Sequence, residues 1–569
     1  MSKHSTHVLR TKAADQAGTL STPYPRPQLV RDSFLSLDGD WSFSVTHKGE
    51  GLFCGSIRVP FPPESALSGV ERRFPQGTTL CYERDFTLPE GFGGMRVILH
   101  VGATDQIASV SLNGQILGTH RGGYLPFSFD ITDALQEGKN KLQVKVIDEL
   151  DGHILPYGKQ REDRGGMWYT PISGIWQSVW LESVPSQYVR SLRIDTDENG
   201  ATIRAEGIDE AMVVVTTPHG LTCVKMRDGE ARVELDSPRL WSPEDPYLYR
   251  FKLICEQETV RSYFACRTVT VGQANGLPRL LLNGKPYFFH GLLDQGYFPD
   301  GIFTPAHPSL YEQDILFAKS LGFNTLRKHI KIEPEQFYYD CDRLGMIVFQ
   351  DMVNNGDYSF LRDTALPTIG LKRRNDKRLH RCPAARAAFL SSMEETVKAL
   401  YNHPSICYWT IFNEGWGQFD SEHAYRTLRA LDSSRPIDTA SGWFKTAHTD
   451  VESPHVYFKP VKIKPAKKPI LLSEFGGYSL PFKEHAFNSD KVYGYRKFED
   501  TARFQRALCD LYEKEILPIV KKGLCGAIYT QLCDVEDEVN GLITYDRKVK
   551  KVNAAIMCEI ARRLQEQIQ

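Results

Sequence analysis

Ile406-Cys407-Tyr408-Trp409-Thr410-Ile411-Phe412, followed at once by Asn413-Glu414-Gly415-Trp416-Gly417-Gln418, is the stretch on which the fold turns. An unbroken apolar run without alternation reads as a strand buried on both faces, the pattern of parallel sheets covered by helices. Outward from it the same rhythm of strand, loop and helix recurs. Further strands are expected at 287–290, 325–329, 346–350, 436–440, 451–455, 469–473 and 526–530, with amphipathic helices such as 310–321 and 335–344 between them. Eight strands within residues 273–569 fit a (β/α)8 barrel, a fold of typically about 250 residues.

Upstream of residue 273 the pattern changes. From about residue 35 to 184, short period-two segments alternate with turns, as in Asp38-Gly39-Asp40-Trp41-Ser42-Phe43 and Val110-Ser111-Leu112-Asn113-Gly114, a β-sandwich signature. A second β-rich stretch, 185–272, has the length of an immunoglobulin-like sandwich. The expected fold class is therefore multidomain, β plus α/β. It comprises residues 1–184 as a tail and a jelly-roll-like sandwich, 185–272 as an immunoglobulin-like sandwich, and 273–569 as a TIM barrel.

Composition agrees. A length of 569 residues suits about three or four domains. Lys plus Arg number 69 against 70 Asp plus Glu, which leaves no global field for a polyanion, so nucleic acid is not expected as a partner. No run of 18 apolar residues predicts a membrane span, and the polar N-terminus lacks the apolar core of a secretory signal. Twelve scattered cysteines without a CxxC pair read as free thiols, and the expected location is cytoplasmic.

Barrel active sites are built at the C-terminal ends of the strands. There the fourth strand ends in Asn413-Glu414 and the seventh in Ser473-Glu474, so two carboxylates project into one mouth. Glycoside hydrolysis needs such a pair: one protonated group to assist the leaving oxygen, one ionised group to meet the oxocarbenium-like carbon. Trp416 and Trp443 are candidates for an apolar platform under a pyranose ring, while Trp409 lies inside its strand and reads as core. Asp351, ending the third strand, either binds hydroxyls or orients Arg327. The strand ends offer no clear His/Asp ligand set, and no metal or cofactor is expected.

The motifs also carry a resemblance. Leu37-Asp38-Gly39-Asp40-Trp41 and Gly174-Ile175-Trp176 in the first sandwich, Leu240-Trp241-Ser242-Pro243 in the second, and Leu282-Asn283-Gly284-Lys285-Pro286, Asn402-His403-Pro404-Ser405, Phe412-Asn413-Glu414 and Ser473-Glu474-Phe475-Gly476 in the barrel follow one order. In that order the chain resembles glycoside hydrolase family 2, the retaining exo-β-glycosidases that include β-galactosidases, β-glucuronidases and β-mannosidases. The resemblance implies Glu414 as general acid/base, Glu474 as nucleophile, and carboxyl groups about 5 to 5.5 Å apart. It implies Asn413 on the sugar 2-hydroxyl, Arg327 near the nucleophile, His329 on the sugar, and His455 and Tyr457 closing strand six, with Tyr457 on the nucleophile; all of these, with Asp351, Trp416 and Trp443, are expected to line the substrate-binding site. The segment Arg327-Lys328-His329-Ile330-Lys331 is one residue shorter than the family's usual Arg-x-x-His-Tyr-Pro.

The expected substrates are small soluble glycosides or oligosaccharides with terminal β-linked sugars, with β-galactosides first. β-Glucuronides, other uronides and β-mannosides are alternatives, and a non-catalytic carbohydrate-binding protein is the alternative from another class. Basic loops at 372–378 and 459–468 read either as solvated surface or as sites for an anionic glycan, and the loop after strand eight is acidic instead. The sandwiches could also mediate self-association.

Overall fold

The computed structural model describes residues 9–14, 23–92, 95–368, 375–444, 446–457, 459–488 and 491–569. Eight parallel strands form one sheet: β1 (Phe289–Asp294), β2 (Thr325–Lys328), β3 (Ile347–Asp351), β4 (Ile406–Asn413), β5 (Ile437–Ser441), β6 (His455–Val456), β7 (Ile470–Gly476) and β8 (Leu524–Thr530). Their order is β5-β4-β3-β2-β1-β8-β7-β6. The two end strands meet where Gly442 N donates to Ser453 O (2.9 Å) and where Ser441 Oγ lies 2.8 Å from His455 Nε2, so the sheet closes into a TIM barrel.

Strand β4 is buried at every residue, as its apolar run requires. Its Phe412 stacks on Phe389 of the helix Pro383–Leu400, with ring centroids 5.0 Å apart. The helix Glu335–Leu344 turns Phe337, Tyr338 and Cys341 inward and stops at Gly345. That residue has φ +72, and a β-carbon there would lie 2.6 Å from Pro243 O, so only glycine fits the junction with the second sandwich.

Two strands depart from expectation. The first begins at Phe289 rather than Tyr287, whose hydroxyl instead donates to Glu244, and it runs on through His290 to Asp294. A polar residue at 290 looks like a strand end, but His290 is buried against Phe323 and Tyr512. The sixth strand, expected over 451–455, is only His455–Val456. Pro454 has no N–H to donate, so the ladder forms after it, while Glu452 makes an isolated bridge to Ile470.

Upstream, a four-stranded and a six-stranded antiparallel sheet enclose Trp41, Phe43, Tyr82, Leu99, Val144 and Leu181. A smaller pair of sheets encloses Ile203, Val213, Val233, Phe251 and Leu253. Trp241 Nε1 donates to Asp342 O (2.8 Å), tying this second sandwich to the barrel. From the first sandwich Trp168, Tyr169 and Trp176 belong to the barrel's own apolar cluster. That sandwich therefore builds part of the barrel mouth. All twelve cysteines are free thiols. Among the described residues no helix is long and apolar enough to cross a membrane.

Candidate active site

Glu414 follows the last residue of β4 with φ +51, a backbone region disfavoured for any residue with a β-carbon and one that clusters at functional sites. Its N–H is held by Ser441 O (2.8 Å). Glu474 lies within β7, paired in register with His455 of β6. The neighbouring strand ends thereby bring Glu414, His455 and Glu474 together, with one ligand atom of each within 4.8 Å of the others.

Glu474 is enclosed by donors. Oε1 accepts from Arg327 Nη1 (2.9 Å) and Oε2 from the Tyr457 hydroxyl (2.5 Å). Every nitrogen of Arg327 has a protein partner: Nε donates to Asp351 (3.0 Å), Nη1 also to Ser473 O (3.1 Å), and Nη2 to Asn413 Oδ1 (2.9 Å). Burial alone would push the Glu474 carboxyl up. His455, Arg327, His329 and the Tyr457 hydroxyl outweigh it and hold the group well below the usual carboxylate range. Of these, Arg327 carries its charge at every working pH.

Asp351 divides its oxygens between Arg327 and His329 Nδ1 (2.8 Å), so of the two roles expected for it the structure shows the orienting one. Burial first, and then the Lys159 ammonium, push His329 down to about 4. With Asp351 accepting at Nδ1, neutral His329 leaves Nε2 as an acceptor. Asn413 has its carbonyl oxygen on Arg327, while its buried Nδ2 has no partner among the described residues.

Three expected sugar contacts are placed elsewhere. His455 has Nδ1 on Glu414 Oε1 (2.7 Å) and Nε2 on Ser441, and its side chain is fully buried, so it meets carboxylates and not sugar. Arg327 likewise is spent on protein groups. Trp416 is only 2% exposed and offers no open platform: Trp168 packs against it at 5.1 Å, Tyr358 at 5.8 Å, and Lys159 Nζ lies 5.6 Å from its ring centre. Trp443 remains half-buried, 6.0 Å from the His455 ring, with its Nε1 unpartnered.

The charged loops also resolve. Residues 372–374 lie outside the described residues. Lys377 reaches Glu422 (3.4 Å), and Lys468 donates to Ala447 O (2.8 Å) and Thr449 O (2.6 Å). The acidic loop after β8 is not solvated. Glu536 and Asp537 pair with Arg164, and Glu538 accepts from Tyr169 (2.8 Å) and Gln531 (2.9 Å), which binds the first sandwich to the barrel.

Sequence reading missed the sandwich's share of this site: Lys159, Trp168 and Tyr169. The available signal was the turn around Pro156-Tyr157-Gly158, which breaks the sandwich pattern just before them. A metal is the remaining question for the Glu414–His455–Glu474 cluster. Both Glu474 oxygens and both His455 nitrogens already serve protein partners, so the donor set suits two carboxylates facing a substrate better than a cation.

Residues 66–185 match the glycosyl hydrolases family 2 sugar binding domain, 188–267 a further glycosyl hydrolases family 2 domain, and 277–552 the family 2 TIM barrel domain. A β-galactosidase of Aeromonas hydrophila subsp. hydrophila is 28% identical over 486 residues, 76% of this chain and 43% of that protein. A β-galactosidase of Thermoanaerobacter pseudethanolicus is 25% identical over 459 residues, 73% of this chain and 58% of that protein. The chain thus spans about half the length of these relatives. The solved β-D-glucuronidase of Dictyoglomus thermophilum superposes with a TM-score of 0.73 at 19% identity, covering 95% of this chain and 98% of that one, which shows a shared fold. Three successive domains of one family, matched in their order around a mouth with two facing glutamates, make this chain a member of glycosyl hydrolases family 2.

Proposed function

We propose that the protein is a retaining exo-β-glycosidase in which Glu474 is the nucleophile and Glu414 the general acid/base. The carrying observation is the separation: carboxylate oxygens of Glu414 and Glu474 lie within 4.8 Å of each other. Retaining enzymes hold their carboxyl groups about 5 to 5.5 Å apart, whereas inverting enzymes need about 6.5 to 9.5 Å to admit a water. Glu474, ionised beside Arg327, attacks the anomeric carbon. Glu414 protonates the departing oxygen and then takes a proton from the water that releases the sugar. The free Asn413 Nδ2 donor suits a hydroxyl at sugar C2, and Trp443 gives the ring an apolar neighbour.

A chain of hydrogen bonds connects Glu414 to the ends of the neighbouring strands. Ser473 Oγ donates to the Ser453 carbonyl (3.0 Å), which spends its only proton. Ser441, 3.0 Å away, must then donate to Ser473, and His455 Nε2 must donate to Ser441. On its other side, His455 Nδ1 lies 2.7 Å from Glu414 Oε1, so the chain of contacts ends on the proposed acid/base.

Two glycone classes have specific support. Neutral β-galactosides are favoured by the β-galactosidase relatives, and β-uronides by the positive charge at the mouth. A panel of nitrophenyl β-galactoside, β-glucuronide, β-mannoside and β-glucoside tests class and sugar together. Release of the retained anomer first is expected, and an inverted first product would sink the two-glutamate reading.

Arg327→Met gives a separate check on Glu474. Because the nucleophile works ionised and its carboxyl is depressed, activity is present above that pKa and lost as pH falls through it. Removing the cation raises the carboxyl, so the acid limb of kcat/KM should move to higher pH by about one unit or more. The limb belongs to the Glu414–His455–Glu474 cluster as a whole. An unmoved limb would separate Arg327 from the nucleophile.

A further inference from the structure

Lys159 is a cation in an unusual position. It comes from the first sandwich, is only 6% exposed, and its ammonium makes no hydrogen bond or ion pair with any described residue. Its ammonium lies 5.4 Å from the Tyr169 ring centre and 5.6 Å from that of Trp416, two residues beyond Glu414. A lysine side chain this enclosed, with its ammonium facing aromatic rings and no carboxylate or carbonyl within bonding reach among the described residues, has room for an anionic partner.

Its placement is fixed. Tyr157 N and Gly158 N both donate to Asn354 O, in the loop after β3, and Lys159 O accepts from Tyr169 N (3.0 Å). Gly158 has φ +69, and a β-carbon there would lie 2.9 Å from Ile330 O, so the sandwich chain comes as close to the β2 loop as glycine permits. Gln160 locks the other side, donating to Asp105 (2.8 Å) and accepting from Ile172 N (2.7 Å). The lysine head is thereby held over Trp416 at the barrel mouth, close enough for its charge to be felt at His329. Arg161, whose guanidinium lies 4.4 Å from the Trp168 ring centre and 5.1 Å from that of Tyr358, adds a second positive charge to the same aromatic wall. Glu538, an acid that feels the charge of Lys159, is spent on Tyr169 and Gln531.

We infer that Lys159 is a specificity-determining residue, supplied by the sandwich, whose unpaired ammonium receives a carboxylate on the glycone and so selects β-linked uronides over neutral glycosides. The inference rests on the two-glutamate reading of the same mouth. A lysine acts there as a compact point charge with three donors, and a substrate carboxylate would complete its missing ion pair. A neutral sugar would leave the ammonium unpaired, which is how a polar site rejects an analogue lacking the matching group.

The test compares kcat/KM of the full chain on nitrophenyl β-glucuronide and β-galacturonide with that on the β-glucoside and β-galactoside, for wild type, Lys159→Met and Lys159→Arg. Lys159→Met keeps most of the side chain's length and removes the charge. The uronide-to-neutral ratio should fall by about 100-fold or more in Lys159→Met and by much less in Lys159→Arg. Equal losses on both classes, or a wild type that cleaves neutral glycosides and not uronides, would overturn the inference. Should Lys159→Met fail to fold, inhibition of wild type by free glucuronate against free glucose decides: glucuronate should inhibit at about tenfold lower concentration or less, and equal inhibition overturns it. If Glu474→Ala still abolishes cleavage of whichever glycoside wild type accepts, the two-glutamate reading stands even where Lys159 fails.

Discussion

Glu474→Ala should lower kcat on nitrophenyl glycosides by about a millionfold, the scale on which a covalent nucleophile is lost. The fold should survive. Arg327 keeps Asp351 and Asn413 as partners, so no isolated buried charge is left behind. The missing side chain leaves space where Arg327 Nη1 and the Tyr457 hydroxyl now converge, a pair of donors suited to a small anion. External azide should therefore restore turnover and yield a glycosyl azide of the anomeric configuration opposite to the substrate. Residual activity near wild type, or an azide product with retained configuration, would move the nucleophile elsewhere.

The barrel was legible because its strands are buried on both faces and so read as apolar runs. Ile406–Asn413 and Leu524–Thr530 are of that kind. Where the signal failed, a local cause overrode the pattern. Pro454 cut the sixth strand to two residues, and a buried polar His290 hid the continuation of the first. The two glutamates were readable from their position at strand ends, since barrel topology itself directs those ends to one mouth. Their surroundings were not. Sequence shows that Trp416 lies near Glu414 but not that Trp168, from a sandwich far back in the chain, covers it. His455 and Arg327 looked like sugar contacts because residue type and strand end say nothing about which partner a nitrogen meets. Only the three-dimensional bonding shows that every one of those nitrogens is already taken by protein.

Glu414→Ala should have an effect that depends on the leaving group. General acid catalysis contributes about 10²- to 10⁴-fold, and that factor matters most where the departing oxygen is basic. On an alkyl or sugar aglycone, formation of the glycosyl-enzyme should slow by the full factor. On a dinitrophenyl glycoside, whose phenolate leaves unaided, that first step should be nearly intact while the second still lacks its base, so a burst of phenol followed by slow turnover is expected. Azide needs no general base and should speed that second step, giving a glycosyl azide of retained configuration, the reverse of the product from Glu474→Ala. The two variants thus distinguish the roles through product stereochemistry, which a merely structural defect could not produce. His455→Phe refines the point: it deletes the nitrogen that lies 2.7 Å from Glu414 Oε1 while leaving both carboxylates in place. If the His455 contact helps Glu414 give up and take back its proton, this variant should reproduce the leaving-group dependence of Glu414→Ala in weaker form. A loss equal for all leaving groups would mean that His455 only fills space.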